Sequence, residues 1–186
     1  PPRQLVRGVV VIDPGHGGND PGTWPRGISA LPEEAINLDI GVQVAHHLTQ
    51  RGVRVVMTRG SDTYVSLDRR ADIADRALAN LFVSIHADSA HRKSASGLTV
   101  HIHTRATTTS QKAARCILES CRRAGIETRG MLTNNFHVLR EHERPAVLIE
   151  CGFLTNREDA IRLNSSSYRA TLATVIAEGI ANFLSQ

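Results

Sequence analysis

Four polar residues stand where chemistry can be assembled. His16 follows the apolar run at residues 9–12, His86 closes the run at 81–85, and Glu150 closes the run at 146–149. Glu33 opens a segment in which Ile36, Ile40, Val44 and Leu48 recur every fourth residue along one helix face. In open α/β sheets, functional groups gather just beyond the carboxyl ends of strands, so these four are candidates to meet on one edge of one sheet. Two imidazoles and a carboxylate with an open fourth position form the ligand set of catalytic zinc hydrolases. A second carboxylate suits such a site, because the water's proton must be taken up and passed to the leaving amine. Glu34 lies beside Glu33, and either carboxylate also suits the positive end of a helix dipole.

The elements that position these residues follow from the pattern of the chain. The β-branched run at 9–12 ends in Asp13-Pro14-Gly15 and reads as a buried strand entering a turn. A Gly/Pro-rich loop follows to about Ala30, then a helix from near Pro32 that stops before Gly52. Residues 53–57 read as a second strand. Ser66 is placed to cap a helix carrying Leu67, Ile73, Ala74, Ala77 and Leu78 on its apolar side. Residues 81–86 read as a third strand. Residues 97–103 alternate, with Leu98, Val100 and Ile102 on one face and Thr99, His101 and His103 on the other. A helix over about 110–123, a strand at 146–150, a short helix after Asn156 and a longer one over about 167–183 complete the chain. Strands alternating with helices predict a single α/β domain. Its central sheet should be mainly parallel or mixed, of about six strands, with helices on both faces.

Composition limits the alternatives. The 186 residues make one domain, with residues 1–8 expected to be a linker or trimmed start and 9–186 the folded unit. No apolar run approaches the roughly 20 residues of a membrane helix, so membrane insertion is not expected. The net charge of +4 comes with few aromatics and no Lys/Arg block, a poor match to nucleic-acid binding. Cys116, Cys121 and Cys151 lack C-x-x-C spacing, so neither a zinc-thiolate site nor a disulfide framework is expected.

Several stretches carry a family resemblance. The segment Val9-Val10-Val11-Ile12-Asp13-Pro14-Gly15-His16-Gly17-Gly18-Asn19-Asp20-Pro21-Gly22 closely resembles the opening motif of the zinc-dependent N-acetylmuramoyl-L-alanine amidases of the amidase-3 family. Glu33-Glu34-Ala35-Ile36-Asn37-Leu38 is similar to that family's Glu-bearing helix start, although Lys more often follows the ligand there. Thr58-Arg59 with Asp62, Leu67 and Arg70, then Ser84-Ile85-His86-Ala87-Asp88, and finally the segment from Pro145 to Asn156 resemble its later motifs, in family order. The resemblance implies one Zn²⁺ on His16, Glu33 and His86, with Glu150 as general base and acid; register with Asn37-Leu38 favours Glu33 over Glu34. It implies hydrolysis of the amide between N-acetylmuramic acid and the L-alanine of the stem peptide, outside the cytoplasmic membrane. Periplasm, cell wall and the secreted state all fit. Peptidoglycan is then the partner, in wall remodelling or cell separation, for a monomer whose full-length form has room for flanking targeting domains.

Other histidines and amides of the chain have plainer readings. His101 and His103 share a strand face and are expected to be solvent-side residues rather than a second metal site. His46 and His47 suit the negative end of their helix. Asn134, Asn135 and His137 precede the strand that bears Glu150, and Asn134 and His137 are candidates for substrate binding. Some members of this family carry a helical insert over the zinc site. Here only a short Thr-rich stretch joins residue 102 to the helix near Ser110, so an open site is expected. A zinc peptidase on the same scaffold, and a wall-binding module with an inert site, are the rival readings.

Overall fold

The computed structural model describes residues 7–25, 30–88 and 94–186, so the first six residues of the expected linker and residues 26–29 of the Gly/Pro-rich loop lie outside the described part. In chain order the elements are β1 (Val9–Pro14), α1 (Glu33–Thr49), β2 (Arg54–Met57), α2 (Leu67–Arg76), β3 (Leu81–Asp88) and β4 (Leu98–His103). There follow α3 (Thr108–Arg123), β5 (Thr128–Asn134), α4 (His137–Arg140), β6 (Ala146–Phe153), α5 (Arg157–Asn164) and α6 (Ser166–Leu184). One six-stranded sheet has the order β2-β1-β3-β6-β4-β5. Every pairing is parallel except β4 with β6, so β4 and β5 run against the other four strands.

Strand alternation divides the sheet into two unlike faces. Val10, Ile12, Val83, Ile85, Val147, Ile149 and Val100 point to the side covered by α1, α3 and α6, where Ile40, Ile117 and Ile176 complete a continuous apolar core. Each such side chain fully buried contributes about 1.5–3 kcal/mol. The other side carries a smaller cluster, in which Val11, Phe82, Ala146 and Leu148 meet Ala74 of α2 and Val138 and Leu139 of α4. Toward one edge of that second face the strands present Asp13, Ser84, His86, Glu150, Thr99 and His101. The sheet therefore seals one core and leaves a polar shelf on its reverse.

Two expectations from sequence are corrected. α2 buries only part of its expected apolar side: Ala74 is buried and Ile73 and Ala77 pack against the smaller cluster, but Leu67 and Leu78 are 51% and 69% exposed while Arg70 and Ala71 are buried. The helix turns Arg70 inward to meet Asp13, which leaves Leu67 outside. β4 is not half-exposed either, since Thr99 and His101 are buried. Leu98, Val100 and Ile102 pack in the main core with Ile117 of α3, and on the other face the Phe136 ring stands against His101. β5 has no clear sequence signature because it is an edge strand with mostly exposed side chains and Gly130 within it.

Candidate metal centre

β1 runs straight into the site. Gly15 extends its ladder by donating N–H to Ile85 O at 2.9 Å, and the chain then turns sharply at His16, which has φ of 60°. That left-handed conformation costs a non-glycine residue roughly 1–3 kcal/mol and persists only where neighbours enforce it. They do so here. Gly17 and Asp20 exchange backbone hydrogen bonds, Asp20 Oδ2 lies 2.8 Å from His16 Nδ1, and Arg70 Nη2 donates to His16 O at 2.8 Å. Two glycines let the groups approach. A Cβ on Gly15 would lie 2.2 Å from Cε1 of His86, and one on Gly22 would lie 2.7 Å from both Glu33 Oε2 and His16 Cδ2.

A buried ionic anchor holds the turn to the sheet. Asp13 accepts from Arg70 Nη1 at 2.7 Å, from Thr58 Oγ1 at 2.6 Å and from Ser84 Oγ at 2.7 Å. Arg59 donates to Pro14 O, Gly15 O and Glu34 O, which ties the same turn to the start of α1. A buried charge pair is tolerable when its remaining hydrogen-bonding groups are satisfied, and removal of one member typically costs about 3–5 kcal/mol. Asp13, Arg59 and Arg70 lie inside recognisable motifs, but their role as the site's foundation was not read from sequence. An acid followed by Pro-Gly looks like any turn until its partner some sixty positions on is known.

His16, Glu33 and His86 converge around a single carboxylate oxygen. Glu33 Oε1 is 3.2 Å from His16 Nε2 and 3.1 Å from His86 Nδ1, and the two rings stand edge-on with centroids 5.0 Å apart. Thr23 N donates to Glu33 Oε2 at 2.8 Å and Ala87 N to Oε1 at 3.1 Å. Burial alone would raise the Glu33 carboxyl, but hydrogen bonds and charge from the two imidazoles hold it well below the usual range. Burial likewise lowers His16, and Glu33 and Asp20 outweigh it, raising this imidazole to about 9. Glu34 faces elsewhere: burial and the charge of Asp62 raise its carboxyl, with Arg59 opposing.

Glu150 is the register partner of His86 across β3 and β6 and is 6% exposed. Together with His16, Glu33 and His86 it lines a cleft of about 530 Å³. The walls come from Tyr64, Val65 and Leu67 at the start of α2 and from Phe136, His137 and Val138 around α4. His137 thus reaches the cleft, with Nε2 2.6 Å from Asp68 Oδ1. Asn134 is not among the lining residues, because β5 runs against β6 and its end points away from Glu150. The Asn134 amide instead meets His101 Nδ1 at 2.7 Å. Burial, then the charge of His86, pushes His101 down to about 4. His103 pairs with Asn135 at 3.0 Å, and His101 and His103 form no metal cluster among the described residues.

The donor set fits a zinc ion. One atom each from His16, Glu33 and His86 lies within 4.8 Å of the others. Ligands about 2.0–2.2 Å from a tetrahedral ion sit about 3.3 Å apart, close to the 3.2 and 3.1 Å that separate Glu33 Oε1 from the two imidazoles. Asp20, on the outer nitrogen of His16, is placed to hold a proton there and leave Nε2 to a metal, as carboxylates beside metal-binding histidines commonly do. The sequence offered that clue in an acid four residues after His16.

Comparison with known proteins bears on this geometry. Residues 10–182 match the amidase-3 family, described as N-acetylmuramoyl-L-alanine amidase. The chain is 33% identical over 181 residues to the N-acetylmuramoyl-L-alanine amidase LytC of Bacillus subtilis, covering 96% of this chain and 36% of that protein. It is 38% identical over 176 residues to the sporulation-specific N-acetylmuramoyl-L-alanine amidase of the same organism, covering 92% and 66%. The chain therefore spans between about a third and two thirds of these curated relatives. A crystal structure of N-acetylmuramoyl-L-alanine amidase from Clostridium difficile 630 superimposes with a TM-score of 0.91 at 37% identity, covering 96% of this chain and 97% of that one.

Proposed function

Because the chain belongs to the N-acetylmuramoyl-L-alanine amidase family, we propose that it hydrolyses the amide between the lactyl group of N-acetylmuramic acid and the L-alanine of the stem peptide. The observation that carries this reading is the meeting of His16, Glu33 and His86 in one cleft with the buried carboxylate of Glu150. One zinc ion would be held by His16, Glu33 and His86, supplying Lewis acidity and bringing the pKa of water to about 7.

The chain's own residues do the rest. Glu33 keeps its charge between two imidazoles, and Asp20 keeps His16 turned inward. Glu150 takes a proton from the attacking water and delivers it to the alanine nitrogen as the C–N bond breaks, so the proton count closes. His137 contributes to substrate binding from the cleft wall, and Asn134 supports it at one remove through His101. Only residues 104–107 separate β4 from α3, so no insert at that point covers the cleft.

The enzyme acts as a monomer on peptidoglycan outside the cytoplasmic membrane, in wall remodelling or cell separation; none of the described helices is long and apolar enough to cross a membrane. Digestion of purified wall tests the reading. Intact stem peptides with new alanine amino termini are expected, with activity lost to a chelator and restored by zinc. Stem peptides cut internally would mean a peptidase. A zinc-loaded protein that releases nothing would mean a wall-binding module.

A further inference from the structure

The chain has one Trp, two Tyr and four Phe. Phe82 and Phe153 are buried, while Tyr168 and Phe183 pack against the main core. The other three are the exposed ones: Trp24 at 58%, Tyr64 at 57% and Phe136 at 37%. Two of the three line the cleft, and the third adjoins it in sequence. Tyr64 and Phe136 line it, and Trp24 directly follows Thr23, which lines it and donates to Glu33. Aromatic rings left in water forgo a large hydrophobic gain, so their gathering at one mouth calls for an occupant.

Their backbones are held in place. A Cβ on Gly18 would lie 2.7 Å from Tyr64 N, so the Tyr64 loop rests directly on the glycine turn after His16. Gly18 N also donates to Asp62 Oδ1 at 2.6 Å, closing that contact. Phe136 sets its ring edge-on to the buried His101, with centroids 5.4 Å apart.

Among the described residues the rim offers an anionic peptide no free Lys or Arg. Arg70 is the one Lys or Arg among the described residues lining the cleft, and its Nε, Nη1 and Nη2 all donate inward to Val65, Asp13, Pro14 and His16. Asp20, Glu33 and Glu150 add negative charge nearby. Carboxylates of a stem peptide find no free guanidinium or ammonium on the described wall. A sugar ring gains from such a wall, because one face of a pyranose is a patch of C–H groups that stacks on an aromatic plane without any charge.

We propose that Trp24, Tyr64 and Phe136 form a glycan-stacking rim that grips the uncharged amino-sugar backbone while its amide lies over Glu150. This rests on the amidase reading for its orientation, but sugar binding is measurable without turnover. Trp24 is the chain's one tryptophan, so its fluorescence reports on the segment that follows Thr23 at the cleft. Titration with a peptide-free N-acetylated glucosamine tetramer is expected to shift Trp24 emission saturably. Titration with free stem peptide at equal concentration is expected to leave it unmoved. Tyr64→Ala and Phe136→Ala should each weaken the sugar response by about tenfold or more, whereas Ile161→Ala, at an exposed apolar site on α5, should match the parent. Emission that answers to the peptide and not to the sugar, or a sugar response unchanged in both rim variants, overturns the proposal. Wall digestion that releases no alanine termini while the sugar response persists would sink the amidase reading and leave the rim standing.

Discussion

On the face covered by α1, α3 and α6 the sheet offers Val10, Ile12, Val83, Ile85 and Ile149, and the helices answer with more of the same. On the face covered by α2 and α4 it offers Asp13, Ser84, His86, Glu150 and His101, beside a small apolar cluster. Odd and even residues of the same strands thus face different solvents. The first face supplies most of the apolar burial that stabilises the fold. The second face holds charges in place by pairing them, as Asp13 is held by Arg70, Thr58 and Ser84. The division implies that changes on the polar face should alter chemistry with the fold intact, and changes on the apolar face should do the reverse.

The largest effect is expected at Glu150. Glu150→Gln keeps the shape and removes the proton carrier, so turnover on purified wall should fall by about 10²–10⁴-fold. Zinc binding and melting temperature should hardly move. A variant that keeps a tenth of the parent's rate would remove Glu150 from the mechanism. Gly15→Ala comes next. Its Cβ would lie 2.2–2.6 Å from three atoms of the His86 ring, so the imidazole must leave its position. Zinc affinity, read by competition with a chelating dye, should fall by about 10–100-fold, a range typical for loss of support to a ligand. Unchanged affinity would mean that His86 is not a ligand.

Gly179→Ala tests the opposite face. The new Cβ would lie 2.6 Å from Ile117 Cα and 3.0 Å from Cys116 O, both backbone atoms of α3. Backbone cannot step aside as a side chain can, so α3 and α6 must separate, at a cost of about 1–3 kcal/mol. Denaturant melts should show that loss, with the rate per folded molecule retained. A fall in rate without a fall in stability would break the division between the faces.

What was legible in the sequence follows the same division. The apolar face announces itself, because Ile36, Ile40, Val44 and Leu48 repeat at helical spacing and the strand cores are β-branched. His16, His86 and Glu150 were visible because each interrupts or closes such a run. The family resemblance supplied the order of motifs and the preference for Glu33. The Asp13–Arg70 pair was not visible, since neither residue shows in local pattern that its charge will be buried by contact with the other. Leu67 misled for the same reason, being placed by Arg70 rather than by its own hydrophobicity. β5 escaped notice because an exposed edge strand has no apolar face to write into the sequence.

The smallest effect concerns His101, which the alternation of β4 had assigned to solvent. It is buried between Phe136 and Asn134, and its imidazole is held at about 4, below the ordinary 6.5. Folding therefore favours the neutral ring. Above about pH 6.5 neither state carries the proton and the contribution is fully present. As pH falls toward 4 the unfolded chain takes up a proton that the folded chain refuses, and stability is lost across that window. The shift amounts to a few kcal/mol at most. His101→Phe retains a ring against Phe136 and cannot titrate, so its unfolding free energy should fall less than the parent's between pH 6.5 and 4. Ile176→Val, buried on the apolar face, should lower stability by a similar amount at both ends of that window. Parallel pH profiles for His101→Phe and the parent would return this histidine to the solvent-side role its strand pattern suggested.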